Sequence, residues 1–154
     1  MRIFKTITFI LLIVFVGIQL IPTERNQNYS VPKTDFMAVN RVPKNVKIIL
    51  HTSCYDCHSN NTNYPWYSHI QPGSWFMANH IKEGKEELNF SEFGNYSIRR
   101  QKSKLKSIVG QIKSDEMPLT SYTIIHRNAI IPIENKAVLI NWMEHTKDSL
   151  SKIN

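Results

Sequence analysis

The feature that most constrains this chain is Cys54-Tyr55-Asp56-Cys57-His58. It holds the only two cysteines in 154 residues. Two cysteines cannot build a disulfide framework, so their use is local: cofactor attachment, a redox dithiol, or half of a metal site. Two thiols three positions apart near a helix end can each form a thioether with one vinyl group of a haem. The imidazole that follows then lies under the iron and supplies a nitrogen ligand. That reading predicts one covalent c-type haem on Cys54, Cys57 and His58. A thioredoxin-like dithiol instead wants a strand just before the first cysteine, and no strand pattern precedes Cys54. Structural zinc wants a second ligand pair at short spacing. His69 and His80 are the nearest recruits and lack that spacing.

The N-terminus supports the same chemistry. Arg2 and Lys5 flank an apolar run that continues to Ile21 and stops at Pro22-Thr23-Glu24-Arg25. Counted from Ile3, with Lys5 snorkelling, the run just reaches spanning length. No small-x-small cleavage triplet follows it, and no lipidation cysteine. The expectation is an uncleaved signal-anchor over residues 1–22, with the basic flank on the cytoplasmic side and the rest exported. Residues 23–42 are polar, carry Pro32, and lack periodicity, which predicts a linker ahead of a domain over 43–150.

Within that domain the patterns are helical. A first helix is expected from Pro43 through Cys57, and a second from a Ser74 cap through Ile81, closed by Gly84. A third runs from about Tyr96 to Lys113, on Ile98, Leu105, Ile108, Val109 and Ile112. A last one runs from near Ile133 to about Leu150, with Ala137, Leu139, Ile140, Trp142 and Met143 as its buried stripe. Asp115 to Asn128 reads as a loop. No alternating pattern suggests strands, so the class is all-α.

A second axial ligand is sought among Met and His. Met117 leads: it sits in the loop Asp115-Glu116-Met117-Pro118-Leu119, and Pro118 stiffens the chain beside it. His80 is next. Met77 and Met143, on helix stripes, read as core filler. The aromatics Tyr64, Trp66, Tyr67, Trp75, Phe76, Phe90, Phe93 and Trp142 suit a haem pocket or an ordinary core equally. Net charge is +7, from 19 Lys plus Arg against 12 Asp plus Glu. No recognition motif for nucleic acid accompanies it, which leaves a solvated helix face, an acidic protein partner or an anionic membrane.

Longer strings carry a resemblance. Cys54 to Thr62, Tyr64-Pro65-Trp66-Tyr67, Gly84-Lys85, Leu88-Asn89-Phe90-Ser91-Glu92, Glu116-Met117-Pro118-Leu119, Tyr122 and Ile140-Asn141-Trp142 together resemble the bacterial family of exported haem-binding-domain proteins. The chain departs from that pattern at Arg127 and Pro132-Ile133, where a proline and a serine-type helix cap are expected. The resemblance implies a cytochrome c-like helical module with haem c on Cys54 and Cys57, His58 as proximal ligand and Met117 as distal ligand. It also implies periplasmic placement and electron transfer to a redox partner. The competing functions are an open-site haem protein, acting as peroxidase or gas sensor with His80 or His126 as acid–base group, and a haem-free dithiol or zinc module.

Overall fold

The computed structural model describes residues 1–152. Its helices are α1 (Arg2–Ile18), α2 (Phe36–Val39), α3 (Lys44–Ser53), α4 (Tyr55–His58), α5 (Gly73–Glu87), α6 (Ile98–Lys113), α7 (Thr120–Thr123) and α8 (Ile133–Ser149). Short 3-10 turns at Trp66–His69, Phe90–Asn95, Arg127–Ala129 and Leu150–Lys152 join or extend them. Among the described residues the only β pairing is an isolated bridge between Gln27 and Asn61. The all-α expectation holds.

Helices α6 and α8 form the main packed pair. Ser97 accepts from the Arg100 amide and starts α6, and Leu105, Val109 and Ile112 make its buried stripe. Asp115 turns the chain out of α6 in the left-handed region (φ 59°), which a short polar side chain tolerates better than most. Helix α8 begins at Ile133, as expected, after Pro132, whose fixed φ suits the entry and which supplies no side-chain cap. It buries Leu139 and Met143 fully. Ala137, expected on the buried stripe, is instead exposed.

The core gathers around one aromatic ring. Phe36 is fully buried, with centroids 5.2 Å from Phe90, 4.7 Å from Phe93 and 5.7 Å from Trp142. Edge-to-face rings of this kind add to the stabilisation from burial alone. Phe36 lies within 23–42, so the segment expected as a linker places one ring in the helical core. Asp35 caps α2 by accepting from the Met37 amide at 2.8 Å. Gly94 takes the close approach of the same segment. Its amide donates to the Thr34 carbonyl at 2.7 Å, and a Cβ there would stand 3.1 Å from Thr34 backbone atoms.

Helix α1 buries none of its residues. The helix foreseen over 1–22 is present but stops at Ile18. No helix among the described residues is long and apolar enough to cross a membrane. Gln19 ends it and turns its side chain onto the domain, accepting from the Gln71 amide at 2.8 Å.

Candidate haem-binding site

The motif sits at a break between two helices. Cys54 leaves helical geometry (φ −132°, ψ −44°), so α3 stops at Ser53 instead of running through Cys57 as expected. The Cys54 carbonyl then accepts from the amides of Cys57 and His58. One short turn thereby follows a thiol at its cap with a thiol and an imidazole at its end. Both cysteines are unbridged and half-buried. Burial pushes the Cys54 thiol up to about 12, with the Cys57 charge adding to it. Burial and the Asp56 charge push Cys57 up to about 11. Reactive dithiols show the opposite, a lowered value.

His58 is held in one orientation. Its Nδ1–H donates between the Gly84 carbonyl at 2.8 Å and the Leu88 carbonyl at 3.0 Å. Burial lowers the imidazole's pKa, against the raising effect of those two carbonyls, and so favours the neutral ring. Nε2 keeps its lone pair for a metal. This is the usual outer-shell arrangement of an axial histidine. Phe90 stands at 6.4 Å and 75° to the ring.

Gly84 has a use that the sequence reading missed. It lies inside α5, which runs to Glu87 and starts after Pro72 without the Ser74 cap. A Cβ at Gly84 would meet the Cys57 carbonyl at 3.0 Å and His58 Cε1 at 3.4 Å. Glycine here lets α5 lie against the motif closely enough for its carbonyl to hold His58. Gly84→Ala is expected to cost about 1–3 kcal/mol by overpacking, read as a lower urea midpoint with unchanged slope.

The two residues between the cysteines anchor the turn on opposite sides. Tyr55 is buried, stacks on Phe90 (4.9 Å, 6°) and donates its hydroxyl to Asp35 at 3.0 Å. Asp56 accepts from the Tyr122 hydroxyl at 2.8 Å and from the Asn63 amide at 3.1 Å. Tyr122 stacks on His126 (4.3 Å, 13°), and His126 pairs with the Tyr67 hydroxyl. Burial raises the pKa of both Tyr67 and Tyr122, and the charges of Asp56 and Cys57 add to it. A cleft of about 640 Å³ opens here, with Tyr55, Asp56, Tyr122 and His126 in its lining, and neither thiol nor His58 lines it.

The asparagine-rich loop after the motif is tied down at every turn. Asn26 donates to the Ser59 carbonyl and to Thr62, Lys85 donates to Asn26 at 2.6 Å, and Asn89 donates to Asn60 at 2.9 Å. These bonds fasten residues 26–28 and α5 around the turn.

Met117 is half-buried in the loop after α6, its amide directed to the Gln111 carbonyl at 3.3 Å. The link from this loop to the motif runs through α7 and the Tyr122–Asp56 bond. His80 bonds back to the Phe76 carbonyl and packs on the Phe76 ring, within its own helix. His69 pairs with Arg25, and His51 packs on Tyr55. Phe90 and Phe93 belong to the core; Trp66 and Phe76, the other way, are 76% and 59% exposed.

A model of the haem-binding domain family matches residues 13–145. The chain belongs to that family. No curated protein and no solved structure matches it. The residues present fit the haem that defines a haem-binding domain: two unbridged thiols, a neutral imidazole with its outer nitrogen satisfied, and a glycine that clears the helix behind it. Among the described residues, no three or more His, Cys, Asp or Glu side chains converge to hold a bare metal ion.

Proposed function

We propose that this haem-binding domain carries one c-type haem, bonded through Cys54 and Cys57, with His58 as proximal and Met117 as distal ligand. It serves as a one-electron carrier on the outer face of a membrane to which α1 attaches it. The observation that carries the reading is the double acceptance of the His58 Nδ1–H by Gly84 and Leu88. That arrangement fixes the tautomer a metal ligand needs. Bound there, the haem supplies a metal centre that changes oxidation state by one electron.

The chain's own residues do the rest. Gly84 and Leu88 orient the imidazole and raise its basicity as a ligand. Phe90 screens one edge of that imidazole from water. Tyr55 and Asp56 hold the turn on two sides, so the thiols stay in register. Arg99, Arg100 and Lys106 are exposed on α6 and offer positive charge to an acidic redox partner. The apolar α1, none of whose residues is buried, with Arg2 and Lys5 at its start, suits attachment to a bilayer from the outer side.

Optical spectroscopy of the purified protein tests the ligand set. A weak band at the red end of the oxidised spectrum reports sulfur ligation, and Met117→Ala is expected to abolish it. Survival of the band in that variant removes Met117 from the site. One observation favours a second reading, an iron open to small molecules: His126, paired with the Tyr67 hydroxyl and stacked on Tyr122, is a ready acid–base group. Rapid carbon monoxide binding by the reduced parent protein would select that reading over a six-coordinate carrier.

A further inference from the structure

Helix α1 poses a problem of length. Its uncharged part, Thr6 to Ile18, rises on the order of 20 Å at 1.5 Å per residue. A bilayer's hydrocarbon core is about 30 Å thick. Yet the helix carries an exposed apolar surface on every side, with Phe9, Leu11 and Val16 each more than half exposed. Water is a poor solvent for such a surface.

The missing length is available on the domain itself. Gln19 and Gln71 bond reciprocally: Gln19 accepts from the Gln71 amide at 2.8 Å and donates to the Gln71 carbonyl at 3.3 Å. The Gln71 side chain in turn donates to the Ile21 carbonyl at 3.2 Å and to Thr23 at 2.8 Å. Gln71 is 5% exposed, so α1 meets the domain at a built joint. Within about two turns of Gln71 along the chain, large apolar side chains face outward: Trp66 is 76% exposed, Ile70 42% and Phe76 59%. On the α1 side of the joint, Leu20 and Ile21 are 83% and 51% exposed. Arg25 lies over the Tyr64 ring at 4.6 Å and pairs with His69 at 2.7 Å, which places a cation beside the joint.

We infer that Trp66, Ile70 and Phe76, with Leu20 and Ile21, form an apolar collar that sinks into the bilayer interface around the end of α1. This rests on the proposed attachment of α1 to a membrane and adds to it the face that the domain turns to lipid. The occupant is a bilayer because the collar continues the apolar run of α1 across a hydrogen-bonded joint, and because Trp is the side chain most at home at the headgroup level. Short apolar helices are accommodated when flanking residues and the bilayer adjust to each other. The collar is the flanking part here. It fixes the domain's tilt, with the Trp66–His69 turn and the start of α5 toward the lipid.

The test uses the full haem-loaded chain in phosphatidylcholine vesicles doped with a lipid that carries a photoreactive acyl chain. Labelled peptides are identified by mass spectrometry. The expected result is label on residues 2–21 and on 66–76, with none on the exposed apolar residues Ile124, Ile125, Ile130 and Ile133 of the α7–α8 region. Trp66→Ser/Phe76→Ser, two exposed positions, is expected to remove the label from 66–76 and keep it on α1. Label confined to α1 means that a second copy or another protein covers the face, and overturns the collar while leaving the attachment standing. Equal label on Ile124–Ile133 overturns it too, because simple apolarity would then suffice. No label anywhere overturns the attachment and the collar together.

Discussion

With Cys54 and Cys57 both replaced by serine, the chain is expected to lose all haem that survives denaturation. Mass spectrometry of the parent under denaturing conditions should show the polypeptide plus one haem; the double variant should show the polypeptide alone. The loss is complete because nothing else in the chain can form a thioether: these are its only cysteines. Serine nearly keeps the size of the side chain, so the helix break at Cys54 has no steric reason to change. His58 keeps its two carbonyl partners in the variant, and a weaker, non-covalent haem that washes out in acidified organic solvent is the expected residue. A parent protein that gives up its pigment to the same solvent would contradict covalent attachment directly.

Phe36→Ala is expected to cost about 3–5 kcal/mol, the range for removing a large buried aromatic. The ring is fully enclosed and touches Phe90, Phe93 and Trp142. It therefore joins the segment before α3, the turn after α5, and α8. Val39, three residues on and 48% exposed, is the control, and Val39→Ala should stay within about 0.5 kcal/mol. Urea unfolding of both variants reads the difference. Equal small effects would mean that Phe36 does not hold residues 23–42 to the helices. The damage should also reach the Cys54–His58 turn, because Phe90 packs between Phe36 and both Tyr55 and His58.

The contrast between those two positions shows what the chain makes legible and what it hides. The motif Cys54 to His58 is readable because its chemistry needs fixed residue types at fixed spacing. Helices α6 and α8 are readable because long periodic stripes leave few alternatives. Residues 23–42 are not, because their packing depends on one phenylalanine and on side-chain bonds to positions over thirty residues away, such as Asn26 to Ser59. Periodicity carries no trace of those. The break at Cys54 is also hidden, since the apolar pattern runs on through it. Gly84 reads as a helix end by default; its place beside Cys57 and His58 emerges only when α5 is packed against α4. The partners of His58 are backbone carbonyls, which no residue type advertises. Asp56 and Tyr122 are sixty-six positions apart, and nothing local marks them as a pair.

That last bond has a bearing on the order in which the protein is made. Joining residue 56 to residue 122 closes a ring of chain that contains α5 and α6, and such a closure costs more entropy than any local contact. The turn from Cys54 to His58, by contrast, closes on its own backbone bonds. The short turn after Cys54 can thus form early, and the loop bearing Met117 is drawn against it only once Tyr122 reaches Asp56.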